Sequence, residues 1–189
     1  MIRGIAFDWG GIFTEGTFDS DAVEKLADIA GVERELVHQV YFPLMADFEV
    51  GAFDLGGFVD RFVEQTGSRA DEELLASTFL NSGIERAVMF DILAAIPAEY
   101  TVGMLSNNVP ALCDRVRNDR RMERIERFVF SNEIGVRKPD VAAYAALQAA
   151  MGLEPHETVF IDDNADNIAA ARAYGFKGIL LDSMEHFER

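Results

Sequence analysis

One cysteine, Cys113, is present in the 189 residues. A single thiol excludes an intramolecular disulfide and cannot by itself build a thiolate metal site. It lies in the helix-like run PALCDRV and reads as a small buried apolar side chain. Basic residues are scarce too. Seventeen Lys and Arg stand against 33 Asp and Glu, a formal charge of −16. Nucleic-acid backbones are held by Lys and Arg that neutralise phosphate, so this balance argues against a general nucleic-acid binder. The same field repels anionic substrates at long range, so any anion site must be built locally. No apolar run is long enough to span a bilayer, and no positively charged start leads into an apolar targeting segment. The expectation is a cytoplasmic protein without a membrane or nucleic-acid partner. The histidines are few and scattered: His38 falls in a helical stripe, His156 and His186 read as surface, and none reads as catalytic.

What is present is ordinary globular material, 49% hydrophobic and 26% charged. The length suits one domain, or a core domain carrying a small insert. Residues 2–14, IRGIAFDWGGIFT, hold an apolar run, Ile5, Ala6 and Phe7, that stops at Asp8 and two glycines. This predicts a buried strand delivering a carboxylate into a tight turn at its C-terminal end, where open α/β sheets bind ligands. Trp9, pointing away from Asp8 in strand geometry, reads as core packing.

From residue 16 to about 84 the period becomes helical. Stripes cover 22–30, 36–48, 58–63 and 71–79, with stops at Gly31, Gly51 and Thr66-Gly67. Four amphipathic helices in a row predict a small helical bundle inserted after the first strand. After Asn81-Ser82-Gly83 the chain alternates: helix 85–96, strand 101–105, helix 110–117, strand 128–130, helix 141–151, strand 158–161, helix 165–174, strand 177–181. This predicts an α/β fold, a Rossmann-like parallel sheet covered on both faces. The core is expected over 1–14 and 85–189, and the helical cap over 15–84. The run 115–127 holds six arginines interleaved with Asp119, Glu123 and Glu126, and reads as a solvated helical face.

Chemistry-bearing residues follow the predicted strands. Asp8 follows the first; Ser106, Asn107 and Asn108 follow TVGML; Lys138 lies near the third; Asp162, Asp163, Asn164 and Asn167 follow TVFI. In a parallel sheet these ends share one edge. Carboxylates from different strands, Asp8 and Asp163, are hard oxygen ligands of the kind Mg²⁺ takes together with a substrate phosphate. Ser106, the amides near Asn107, and Lys138 could hold phosphate oxygens. Lys138 would also offset repulsion among Asp8, Asp162 and Asp163, keeping Asp8 ionised as a nucleophile. Each piece has a plainer reading, since Asp-Asp-Asn and Ser-Asn-Asn can cap helices and Lys138 can sit on the surface. Their joint order on strand ends favours the functional one.

Asp8 in FDWGG, Ser106 in MLSNN, Lys138 in GVRKPD and Asp162-Asp163 in VFIDDNADN together resemble the four motifs of the haloacid dehalogenase-like hydrolase superfamily. The helical insert is similar to that family's first type of cap. The resemblance implies Mg²⁺ dependence and an aspartyl-phosphate intermediate. Asp8 would attack phosphorus; Asp8, Asp163 and the backbone carbonyl of Gly10 would hold the metal. Ser106, Asn107 and Lys138 would hold the phosphoryl group, with Asp162 and Asn167 supporting the lysine or a metal-bound water. The substrate class implied is a small phosphorylated metabolite.

The chain departs from the pattern at Gly10, where phosphatases of this family usually carry a second Asp that protonates the leaving oxygen and then activates water. Losing such a group typically costs on the order of 10²–10⁴-fold in rate. Glu15, Glu49 or another cap residue could substitute. The cap is expected to hinge near Glu15-Gly16 and Ser82-Gly83. Two other readings are a 2-haloacid dehalogenase, whose Asp attacks carbon without a metal, and a phosphate-binding or regulatory module.

Overall fold

The computed structural model describes residues 1–15 and 18–181. The apolar run before Asp8 forms strand β1 (Gly4–Phe7), and a short turn leads into β2 (Thr14–Glu15). Helices α1 (Phe18–Ala30), α2 (Arg34–Phe48), α3 (Leu55–Thr66) and α4 (Glu72–Leu80) follow. The chain returns through β3 (Ile84–Glu85), antiparallel to β2. The remainder alternates: α5 (Ala87–Ala95), β4 (Thr101–Ser106), α6 (Pro110–Asn118), β5 (Arg127–Phe130), α7 (Ser131–Ile134), α8 (Val141–Met151), β6 (Thr158–Asp162), α9 (Ala165–Tyr174) and β7 (Lys177–Leu180).

The larger sheet of the described residues has the order β5-β4-β1-β6-β7, with every pair parallel. β1 is central, pairing Phe7 with Met104 on one side and Ile161 on the other. Successive side chains leave opposite faces of a strand. Phe7, Met104 and Ile161 therefore pack with Phe13, Phe90 and Leu93 in one apolar cluster. Ala6, Leu105 and Phe160 pack with Tyr144, Leu147 and Ile168 in another. Both faces are covered, as the apolar strands require.

The helical insert has its own core, in which Phe58 lies 5.3 Å from Phe48 and 5.0 Å from Phe79, centroid to centroid. Side-chain caps start two of its helices. Asp54 accepts from the Gly57 N–H and Asp71 from the Leu74 N–H, both at 2.9 Å. Val109 and Leu112, at the start of α6, belong to the same apolar cluster, so the insert packs directly above the end of β4.

Three local expectations are corrected. Glu85 is not helical: it pairs with Thr14 in the β2–β3 ribbon, and α5 starts at Ala87. The arginine run is not one helical face. It crosses the end of α6, a 3₁₀ turn at Arg120–Met122 and the start of β5, although its arginines are largely exposed. Ser106-Asn107-Asn108 does not cap α6 in the usual way, for the N-cap is Val109, whose N–H donates to Asn108 Oδ1. Cys113 is buried in α6, as expected. No helix among the described residues is long and apolar enough to cross a membrane. Gly16 of the first expected hinge, and His186, lie outside the described residues.

Candidate active site

Asp8 follows the last paired residue of β1, and its N–H donates to the Ile161 carbonyl at 2.9 Å. This continues the β1–β6 pairing and brings Asp8 level with Asp162. Lys138 comes from the loop after α7 and is 1% exposed, so the surface reading is overturned. Its Nζ sits 2.9 Å from Asp8 Oδ1 and 2.6 Å from Asp162 Oδ2. The backbone of that loop is fixed by Asn107: Oδ1 accepts from the Lys138 N–H at 2.8 Å, and Nδ2 donates to the Lys138 carbonyl at 3.0 Å.

Asp162 is fully buried and saturated. Besides Lys138, the Asn164 N–H donates to its Oδ1 at 2.8 Å, and Asn167 Nδ2 reaches both oxygens at 3.1 Å. Asn167 is held in turn by Tyr144, whose hydroxyl donates to the Asn167 carbonyl at 2.8 Å. Asn164 accepts from the N–H groups of Asp166 and Asn167 and so caps α9. The capping reading of Asp-Asp-Asn is thus fulfilled by Asn164 alone.

Both bonds to the Asp8 side chain use Oδ1, from Lys138 and from the Trp9 N–H at 2.7 Å. Oδ2 has no hydrogen-bond donor among the described residues. Asp8, Asp162 and Asp163 each offer a carboxylate oxygen, and these atoms lie within 4.8 Å of one another. Asp163 reaches this position because Gly11 lacks a side chain. A Cβ there would stand 1.9 Å from Asp163 Oδ2, and the Gly11 φ of +67° suits glycine.

Charge is unbalanced here. Burial pushes the Asp8 pKa up to about 7; Lys138 opposes this, while Asp162 and Asp163 add to it. Lys138 thus opposes the effect of burial on Asp8 without cancelling it. Burial likewise raises Asp163 to about 6, with Asp162 adding to it. Burial disfavours the Lys138 ammonium, but Asp8 and Asp162 outweigh it and hold that pKa above the ordinary lysine value. An oxygen-only donor set with surplus negative charge fits a hard divalent cation.

Asp8 and Lys138 form the floor of a cavity of about 270 Å³, with Asp162 buried beneath them. Trp9, Gly10, Asn107, Arg137 and Asp163 also line it, and the cap contributes Phe18, Asp19, Met45 and Glu49. Ser106 ends β4 but is buried and does not line the cavity. Trp9 stacks on Phe13 at 5.5 Å, as a core residue would, yet it also forms part of the cavity wall. Of the two carboxylates named as substitutes for the missing Asp, Glu15 is exposed on the ribbon and only Glu49 reaches the cavity. Gly10 faces open space, with nothing within 4 Å of a Cβ built there.

Asp19, Arg137 and Arg86 were not singled out from sequence. Arg86 Nη2 donates to the carbonyls of Gly11 and Thr14, at 3.2 and 3.1 Å, pinning the turn behind Asp8. An arginine just past a two-residue strand gives no periodic signal. Asp19, in the first turn of α1, accepts from the Tyr41 hydroxyl at 2.8 Å.

The family model for haloacid dehalogenase-like hydrolases matches residues 2–175. The chain belongs to that family. This hydrolase has a fold similar to that of a haloacid dehalogenase family enzyme from Bacteroides thetaiotaomicron, solved in complex with magnesium and inorganic phosphate. The two share 21% identity and a TM-score of 0.83, over 100% of both chains. It is 24% identical to a sesquiterpene phosphatase from Aspergillus oryzae, over 96% of this chain and 91% of that one. It is also 32% identical to drimenol cyclase from Aspergillus calidoustus over 31% of its own length, and there the hydrolase spans only 11% of the relative.

Proposed function

We propose that this hydrolase is a Mg²⁺-dependent phosphatase of a small phosphorylated metabolite. The observation that carries the reading is the strand-edge floor, where three clustered carboxylates face one buried ammonium beneath a small cavity. The phosphatase relative and the magnesium and phosphate of the B. thetaiotaomicron enzyme support it.

Asp8, Asp163 and the Gly10 carbonyl would hold Mg²⁺, which neutralises charge on the phosphoryl oxygens and on the floor. Asp8 Oδ2, the oxygen without a donor among the described residues, attacks phosphorus, and the leaving oxygen departs from the opposite side. Lys138 and the amides near Asn107 hold the phosphoryl group against the floor. Asp162 and Asn167 hold Lys138 in place. Ser106, off the cavity wall, is assigned no phosphoryl contact. Water then attacks phosphorus, the P–O bond to Asp8 breaks, and phosphate leaves. The helical unit, 15–84, acts as a cap that excludes bulk water and selects the leaving group, hinging at the ribbon and near Ser82-Gly83.

The test is phosphate release from para-nitrophenyl phosphate and a panel of phosphorylated metabolites, with and without Mg²⁺, for wild type and Asp8→Asn. Metal-dependent release that disappears in Asp8→Asn is expected. No release from any ester despite Mg²⁺ binding would overturn the reading, and chloride release from 2-chloropropionate would then point to dehalogenation.

A further inference from the structure

We propose that Glu49 of the cap is the acid–base residue of this site, doing from above what no side chain at Gly10 can do from the floor. The inference rests on the phosphatase reading and concerns how that chemistry moves its proton.

Glu49 closes α2 as its C-cap residue, with its N–H donating to the Met45 carbonyl at 2.9 Å. Met45 and Glu49, one turn apart, both line the cavity, while Phe48 between them is fully buried in the cap core. The carboxylate is therefore held on a rigid helix end and not on a loose loop. Glu49 is only 7% exposed, yet its Oε2 has no hydrogen-bond donor among the described residues. Arg137 Nη2 stands 3.1 Å from Oε2, near enough for charge attraction but not aligned for a hydrogen bond. A buried carboxyl oxygen is rarely left without a partner. Here the shared cavity offers the place where a ligand hydroxyl could supply one.

The charge around Glu49 suits proton transfer near neutral pH. Burial raises its pKa to about 7; Arg137 opposes this, Asp19 and Asp8 add to it, and Lys138 opposes it more weakly. Tyr41, hydrogen-bonded to Asp19, also faces this group and stays protonated, its own pKa raised by burial and by Asp19.

The two steps balance. In the first, Asp8 forms an O–P bond, the bond from phosphorus to the leaving oxygen breaks, and protonated Glu49 gives that oxygen its proton. In the second, Glu49 carboxylate takes a proton from water as the water oxygen bonds to phosphorus. The bond to Asp8 then breaks, releasing phosphate and restoring both residues.

A leaving group that is already acidic needs no proton, so the test compares two esters on the full chain with Mg²⁺. Glu49→Gln should lower turnover of glycerol 2-phosphate by about 10²–10⁴-fold. On para-nitrophenyl phosphate the same variant should release about one equivalent of nitrophenolate in a burst and then slow, because only the water step lacks its base. Gly10→Asp in the Glu49→Gln background, placing a carboxyl in the open space at position 10, should restore at least tenfold of the loss and remove the burst.

A Glu49→Gln variant that turns over both esters as wild type does, or loses both in proportion with no burst, overturns the proposal. The second pattern would mean that Glu49 only ties the cap to Arg137. If Glu49→Gln does not fold, the wild-type pH profile decides. Glycerol 2-phosphate cleavage should fall above about pH 7 while the first nitrophenolate turnover does not, and a parallel fall overturns the proposal. Wild type that releases phosphate from neither ester overturns the phosphatase reading, and this one with it.

Discussion

The floor and the roof of the cavity are built on opposite terms. On the floor, Lys138 and Asp162 are nearly or fully buried and each spends its polar atoms on named partners. On the roof, Glu49 is also buried, but its Oε2 has no hydrogen-bond donor among the described residues, beside a half-exposed Arg137. A saturated cluster holds one geometry at low reorganisation cost, which is what binding and attack at a fixed atom require. An unsatisfied carboxyl is destabilising in the resting protein and gains its partner only with a ligand. The difference separates a half that holds one geometry from a half that leaves an acceptor open to the cavity.

The sharpest break of the floor is Asp8→Asn. It keeps the shape and removes the proposed nucleophile, and phosphate release should fall more than about 10⁴-fold. Chelating the divalent cation from wild type should likewise suppress phosphate release to background, with recovery on adding Mg²⁺ back. Lys138→Met leaves Asp8 and Asp162 buried without their cation and should cost about 3–5 kcal/mol in urea unfolding at pH 7.5. Part of that loss should return as the pH is lowered and Asp8, whose pKa burial already raises, takes up a proton. Gly11→Ala places a Cβ against Asp163. We expect a loss of about 1–3 kcal/mol from backbone strain and a weaker Mg²⁺ affinity by calorimetry.

The smallest effect sharpens the roof. The Glu49 pKa is raised from 4.5 to about 7 on folding. Its contribution to stability is therefore complete below pH 4.5 and lost as pH rises through 7. Gln stays neutral throughout. Relative to wild type, Glu49→Gln should gain about 1–3 kcal/mol on going from pH 5 to pH 8, read by denaturant unfolding at each pH. An unchanged difference between the two pH values would show that Glu49 meets no penalty on burial.

Much of the floor was legible because strand ends in a parallel sheet share an edge. Asp8, Asn107, Asp162 and Asp163 needed only the strand pattern to be brought together; Lys138, in the loop after α7, could be placed only near the third strand. The helices were equally legible, since glycine stops and apolar stripes repeat over several turns. What was not legible had no period to read. The β2–β3 ribbon is two residues long on each side, so Glu85 was absorbed into the helix that follows. Arg86 and Arg137 act through carbonyls and charges that only the fold brings near. On the roof, Glu49 could be named only alongside Glu15 and other cap residues, because spacing places it at the end of α2 but does not say what that helix faces. One signal was available. Leu44, Met45 and Phe48 make an apolar stripe, and Glu49, four residues after Met45, adds an acid to that face at a helix C-terminus, where the dipole disfavours negative charge.

The central place of β1 has a consequence for biosynthesis. Its pairing partners, β4 and β6, lie beyond the whole helical insert in the chain. The strand that carries Asp8 is thus made before either neighbour and remains unpaired while the insert is translated. Asp8 meets Lys138 and Asp162 only after β6 has emerged, so a nascent chain holds an acid but no assembled site. Such distant pairing slows folding and leaves an apolar strand edge exposed in the interval. Chaperone dependence should accordingly track interruption between the insert and β6 more closely than damage to the insert itself.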